Sequence, residues 1–165
     1  MQMTLDGSCA VTPLVRTSFA ERNGIVSPDG RWLAYEANDS GQFEIFVRPY
    51  PDVNSGLAQV SVAGGVRPLW APGGRELLFV SPSGALMHVS VAPGPSWVAS
   101  APTLLLKEGY FTSPGNPGRT YDISPDGQRL LMIKGSGADG TAAPASLVVV
   151  QHRLEELKWL VPTPE

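Results

Sequence analysis

An all-β chain of repeated four-stranded sheets, a partial β-propeller of about three blades, is predicted by three observations. First, a turn phrase occurs three times, as Ser27-Pro28-Asp29-Gly30-Arg31, Ala71-Pro72-Gly73-Gly74-Arg75 and Ser124-Pro125-Asp126-Gly127-Gln128. The copies are spaced by 44 residues (27 to 71) and 53 residues (71 to 124), the period of one four-stranded blade with or without a loop insertion. Second, the apolar residues after each phrase align without a gap: Leu33, Leu77 and Leu130, then Ala34, Leu78 and Leu131, then Tyr35, Phe79 and Met132. Third, 18 glycines and 16 prolines among 165 residues suit many short strands joined by tight turns.

The phrase reads as the hairpin turn between the first and second strands of a blade. Proline presets φ for the second turn position, Asp accepts hydrogen bonds from nearby backbone, and Gly takes positive φ without a Cβ clash. The second copy has Gly73 in place of Asp and so loses a side-chain acceptor. The first blade occupies residues 18–62, with an inner strand over 23–26 and a second over 31–37. A third over 44–48 alternates with period two and is stopped by Pro49-Tyr50-Pro51, since proline cannot donate to a ladder; an outer strand follows over 59–62. Gly64-Gly65 leads into the second blade, residues 63–108, with strands over 67–70, 76–80, 86–91 and 103–106.

The last blade, residues 109–165, has strands over 120–123, 129–133 and 147–150, a glycine-rich loop over 135–143, and a tail. In the tail Leu154, Leu157 and Leu160 recur every third residue, the spacing of a short amphipathic helix. Residues 1–17 read as strands over 2–5 and 13–17 that complete a blade whose first half is missing. Three blades cannot close a ring, which takes at least four. The expected remedy is a homodimer whose two arcs form one ring of six blades.

Composition narrows the function. A net charge of −3, with Lys and Arg scattered singly, offers no basic stripe for nucleic acid. Cys9 is the only cysteine, so no internal disulfide or thiolate metal cluster forms within the chain. The sequence as written shows neither a secretory signal nor an 18-residue apolar run, and the expectation is a cytoplasmic chain with no membrane partner.

The residues around these turns resemble a known repeat. Thr12-Pro13-Leu14-Val15, the first phrase extended to Tyr35, Glu44-Ile45-Phe46-Val47-Arg48-Pro49-Tyr50-Pro51, Gly64-Gly65-Val66-Arg67-Pro68-Leu69-Trp70, Tyr121-Asp122-Ile123 with the third phrase, and Glu155-Glu156-Leu157-Lys158 follow in this order. The chain is similar to the TolB-type, WD-repeat-like propeller. It is more closely similar to the propeller segment at the C-terminus of bacterial eukaryotic-like serine/threonine kinases. The resemblance implies a propeller and no kinase chemistry, because the glycine-rich ATP loop, catalytic-loop Asp and Mg-binding Asp have no counterpart.

The residues that could carry chemistry have plain structural roles. Asp29 and Asp126 lie inside tight turns and read as backbone caps. His88, between Met87 and Val89, and the distant His152 are the only histidines, too few for a zinc site. The Gly-x-Ser-x-Gly elbow is absent, and Asp139-Gly140 is too sparse for a calcium loop. Trp32, Tyr35, Phe46, Trp70 and Phe79 read as packing between blades, while Trp97, Tyr110 and Phe111 sit in Pro/Gly-rich connections. Propellers place the inner strand against the channel, and the positions at its start carry Glu21, Arg22, Asn23, Arg67, Arg119 and Thr120.

These observations predict a non-catalytic binding or assembly module without metal or cofactor, a protein- or peptide-interaction scaffold. The alternative is a sensor piece whose channel mouth, at Arg22, Asn23, Arg67, Arg119 and Thr120, takes a small anion or acidic peptide. Hydrolase or lyase activity in the channel ranks last.

Overall fold

The computed structural model describes residues 1–110 and 118–134 with their side chains, and the backbone of 146–151. In chain order the strands are β1 (Gln2–Met3), β2 (Val11–Thr12), β3 (Glu21–Val26), β4 (Trp32–Ala37), β5 (Glu44–Pro49), β6 (Ala58–Gln59), β7 (Val66–Trp70), β8 (Glu76–Val80), β9 (Leu86–Ser90), β10 (Thr103–Leu106), β11 (Tyr121–Ile123), β12 (Arg129–Lys134) and β13 (Ser146–Gln151). Sequence neighbours pair with each other, giving antiparallel sheets β3-β4-β5-β6, β7-β8-β9-β10 and β11-β12-β13, and a separate hairpin β1-β2. The chain is all-β, with four-stranded sheets of the kind that form propeller blades. No helix among the described residues is long and apolar enough to cross a membrane.

The three turn phrases superpose in conformation. Gly30, Gly74 and Gly127 have φ of 70°, 66° and 71°, and each donates its N–H to the carbonyl three residues earlier at 2.8 Å. In the first copy the Asp29 carboxylate accepts from the Ser27 hydroxyl at 2.6 Å and from the Arg31 N–H at 3.2 Å. In the third, Asp126 accepts from the Ser124 hydroxyl and from the Gln128 N–H, the latter at 2.9 Å. The second copy closes on backbone alone, through Ala71 N to Glu76 O at 2.9 Å.

Strand alternation then divides each blade into two faces. Leu33 and Tyr35 lie on the leading face of the first blade, and Trp32, Ala34 and Glu36 on its trailing face, toward the second blade. Across this first seam Trp32, Ala34, Ile45 and Val47 meet Trp70, Leu77, Phe79, Val89 and Val91. Across the second, Leu69, Leu78, Val80 and Leu86 meet Tyr121, Leu130 and Met132. The aromatic residues assigned to packing are buried, at 2–5% exposure. Trp97 stands edge-on to Trp32 and Trp70, with centroids 5.3 and 6.2 Å away.

The link between blades leaves no room at Gly65: a Cβ there would lie 2.7 Å from Ser61 Oγ and 2.9 Å from Ile45 Cγ1. Beside it the buried Glu44 carboxylate accepts from the Ser61 hydroxyl, from Gln42 Nε2 at 2.8 Å and from the Gly64 N–H at 2.8 Å.

Several boundaries differ from the sequence expectation. The inner strand of the first blade begins at Glu21, and its outer strand is only Ala58–Gln59. The second N-terminal strand is Val11–Thr12 instead of 13–17, because Pro13 cannot extend the ladder as a donor. This hairpin pairs within itself, Gln2 opposite Thr12 and Met3 opposite Val11. The expected loop over 135–143, the helical tail over 152–160, Phe111 and His152 lie outside the described residues.

Candidate functional site

The inner strands β3 and β7 share an unusual start. Asn23 and Arg67 both take left-handed backbone, with φ of 53° and 59°, and the register with the second strand shifts between Arg22 and Ile25 and again between Val66 and Leu69. These are equivalent positions, 44 residues apart (23 to 67). Non-glycine residues held there are strained, and such strain persists only where surrounding contacts impose it. The third blade has Thr120 at this position, and Tyr121–Ile123 pairs with β12 without a shift; a β-branched residue is poorly suited to the left-handed region.

The contacts that impose the conformation converge on Glu36. This side chain is fully buried and accepts from Arg22 Nε at 2.6 Å, from Asn23 Nδ2 at 2.6 Å and from the backbone N–H of Arg67 at 2.5 Å. The Arg67 carbonyl in turn accepts from the Tyr121 hydroxyl at 2.6 Å. One hydrogen-bonded path thus joins all three blades at the inner-strand ends. Burial pushes the Tyr121 phenol far above its ordinary range, so it stays a donor. Burial also draws the Arg67 guanidinium down, opposed by Glu36. Arg22 lies 3.6 Å over the Phe43 ring centroid and keeps its side chain 37% exposed.

The structure therefore brings together Arg22, Asn23 and Arg67 of the residues nominated from the sequence. Arg119 donates to the Tyr121 carbonyl at 3.1 Å and lies 3.8 Å from Asp122, so it reaches the cluster only through Tyr121, and Thr120 stands beside it. Glu21 faces elsewhere, accepting from the N–H and hydroxyl of Thr17. Sequence reading missed Glu36 and Tyr121. The visible signal for Glu36 was a carboxylate at a place where the other two copies carry Val80 and Ile133.

Other candidates have local roles. Ser27 holds the Asp29 carboxyl below its ordinary range, and Ser124 does so for Asp126, as expected of turn caps. His88 is buried with Nε2 3.8 Å from Glu76 Oε2. Among the described residues no three His, Cys, Asp or Glu side chains are grouped to hold a metal. A cleft of about 690 Å³ opens over the leading face of the first blade, lined by Leu14, Val15, Arg16, Arg22, Leu33 and Tyr35 among others.

No family model and no curated protein matches this sequence. Solved structures do share its fold. A protein of Agrobacterium tumefaciens provisionally named TolB superposes with a TM-score of 0.52 at 17% identity, covering 78% of this chain and 44% of that one. A protein of Bacteroides uniformis provisionally assigned as a 6-phosphogluconolactonase gives 0.49 at 17% identity, covering 84% and 43%. TolB of Acinetobacter baumannii gives 0.40 at 12% identity, covering 84% and 43%. The chain thus shares the β-propeller fold of the Agrobacterium structure and spans less than half the length of that chain.

The expected absence of catalysis is corrected by this comparison. One of these structures bears the provisional assignment of 6-phosphogluconolactonase, and a fold by itself does not decide whether a chain is an enzyme. The nucleophile elbow belongs to a strand-to-helix turn of an α/β sheet, and its absence carries no information about chemistry by other groups on a propeller.

Proposed function

We propose that the chain is a protein-interaction module whose first interaction is with itself: two three-blade arcs close one ring of six blades. The observation that carries this reading is at the trailing face of the third blade. Leu131 and Ile133 are 41% and 39% exposed, whereas Ala34 and Glu36, and Leu78 and Val80, at the same places in the other blades, are 0–2% exposed. An apolar sheet face left in water is a docking surface, and the surface that fits is the leading face of another first blade. Sedimentation is the test: the 17.5 kDa chain is expected to run at twice its mass and Leu131→Asp as a monomer. A wild-type chain that stays monomeric at roughly 100 μM, far above the dissociation constants of specific complexes, overturns the reading.

A second reading is favoured by Arg22, Arg67 and Arg119 at the inner-strand ends: the channel mouth takes an acidic peptide or small anion. Calorimetric titration with a glutamate-rich peptide should give heat that Arg22→Ala removes, and an unchanged isotherm would discard it.

A further inference from the structure

We infer that residues 1–17 form a displaceable cover, lying in the seat that the third blade of a second copy takes when the ring closes. The inference rests on the ring reading above and adds its regulation. Its first support is position. In the second blade Leu77 and Phe79 of the leading face pack against Trp32, Ala34 and Val47 of the preceding blade. Their counterparts in the first blade, Leu33 and Tyr35, pack against Leu14 and Val15, together with Tyr50. The segment therefore stands where a neighbouring sheet stands at every other seam.

The second support is how loosely it fits. Its strands pair with each other and with no strand of a blade. Met3, Leu5 and Val11 remain 54%, 88% and 56% exposed, and a cleft of about 690 Å³ is lined jointly by Met1, Gln2, Leu14 and Val15 of the segment and by Val26, Leu33 and Tyr35 of the blade. Its hydrogen bonds toward the first blade, among the described residues, cluster at the C-terminal end of the segment and just beyond. There Glu21 accepts from Thr17, and Ala20 N–H donates to Asn38 Oδ1 at 2.9 Å. A segment tethered at one end, with most of its apolar side chains in water, gains surface burial if a full sheet replaces it and loses little.

The third support is the incoming face. Leu131 and Ile133 hold the register places of Leu78 and Val80, which already make the second seam against Leu130 and Met132. Seating them on Leu33 and Tyr35 of a second copy continues an interface the molecule uses internally, and the two-fold repeats it to close the ring.

The test weakens the cover without touching the blades. In the full-length chain, Leu14→Asp with Val15→Asp is expected to tighten dimerisation by roughly tenfold or more, since it removes a competitor for the seat. Sedimentation equilibrium reads the constant, and circular dichroism checks the fold. If wild type and variant dimerise equally, the ring stands and the cover is wrong. If the variant dimerises more weakly, the segment belongs to the interface and the cover is again wrong. If both stay monomeric, ring and cover fall together. Should the variant melt early, a synthetic peptide of residues 1–17 added to wild type must dissociate the dimer, and an inert peptide overturns the inference.

Discussion

The two seams of this molecule occupy equivalent places and both bury apolar side chains, yet one place differs in its chemistry. At the first, the trailing face carries Glu36, whose carboxylate gathers Arg22, Asn23 and the Arg67 N–H. At the second, the same place carries Val80, buried among Leu69, Leu78 and Tyr121. The apolar seam holds its blades by area removed from water, a non-directional attraction. The polar seam adds direction: three donors meeting one carboxylate fix two left-handed residues and so the start of two inner strands. Adhesion between blades and the geometry of the inner-strand ends are therefore separable properties.

Making the first seam like the second should have the largest effect. Glu36→Val leaves the part-buried amide of Asn23 and the buried Arg67 N–H without their acceptor and the part-exposed Arg22 without its partner, and each donor left unmet costs about 1–3 kcal/mol. Thermal melting should show it as a drop of roughly 10 °C. A change within a degree or two would mean that the network contributes nothing to the seam.

The path can also be cut further along, at the second seam. Tyr121→Phe removes the single hydroxyl that ties the second seam to the Arg67 carbonyl, and about 1 kcal/mol is expected from chemical denaturation. The loss should shrink when Glu36→Val is already present, because linked groups are non-additive. Full additivity would show that the two seams do not communicate through Arg67.

The smallest effect belongs to the turns and appears only in acid. Asp29 and Asp126 have carboxyl pKa values lowered in the folded protein, first by Ser27 and Ser124 respectively. A depressed folded value means stability that is present above the unfolded carboxylate pKa near 4 and is lost as pH falls through the folded one. Asp29→Asn and Asp126→Asn should each flatten the fall in stability below pH about 4, while the second turn, with Gly73, has no such term to lose. An acid profile indifferent to both substitutions would show that the caps exert no pull on folding.

Much of this was legible from the chain. The repeat of Pro-Asp-Gly or Pro-Gly-Gly before aligned apolar residues located three hairpins, because turn conformation depends on neighbours within four residues. The period-two alternation located the buried faces for the same reason, each side chain being placed by its own strand. Counting back from each turn found Arg22, Asn23 and Arg67 at the inner-strand starts. It overran at the N-terminus, where a strand over 13–17 gave way to Val11–Thr12.

Local pattern by itself determined the strands, their turns and the alternation of their faces, hence an all-β chain of blade-like sheets. What those faces touch is set by contacts between elements. Glu36 meets partners 14, 13 and 31 residues away in sequence, and nothing within its own strand distinguishes it from an ordinary surface carboxylate. Whether Leu33 and Leu131 end up covered or open depends likewise on which sheet, segment or second copy lies against them. That is set by packing between elements, to which a strand's own sequence is blind.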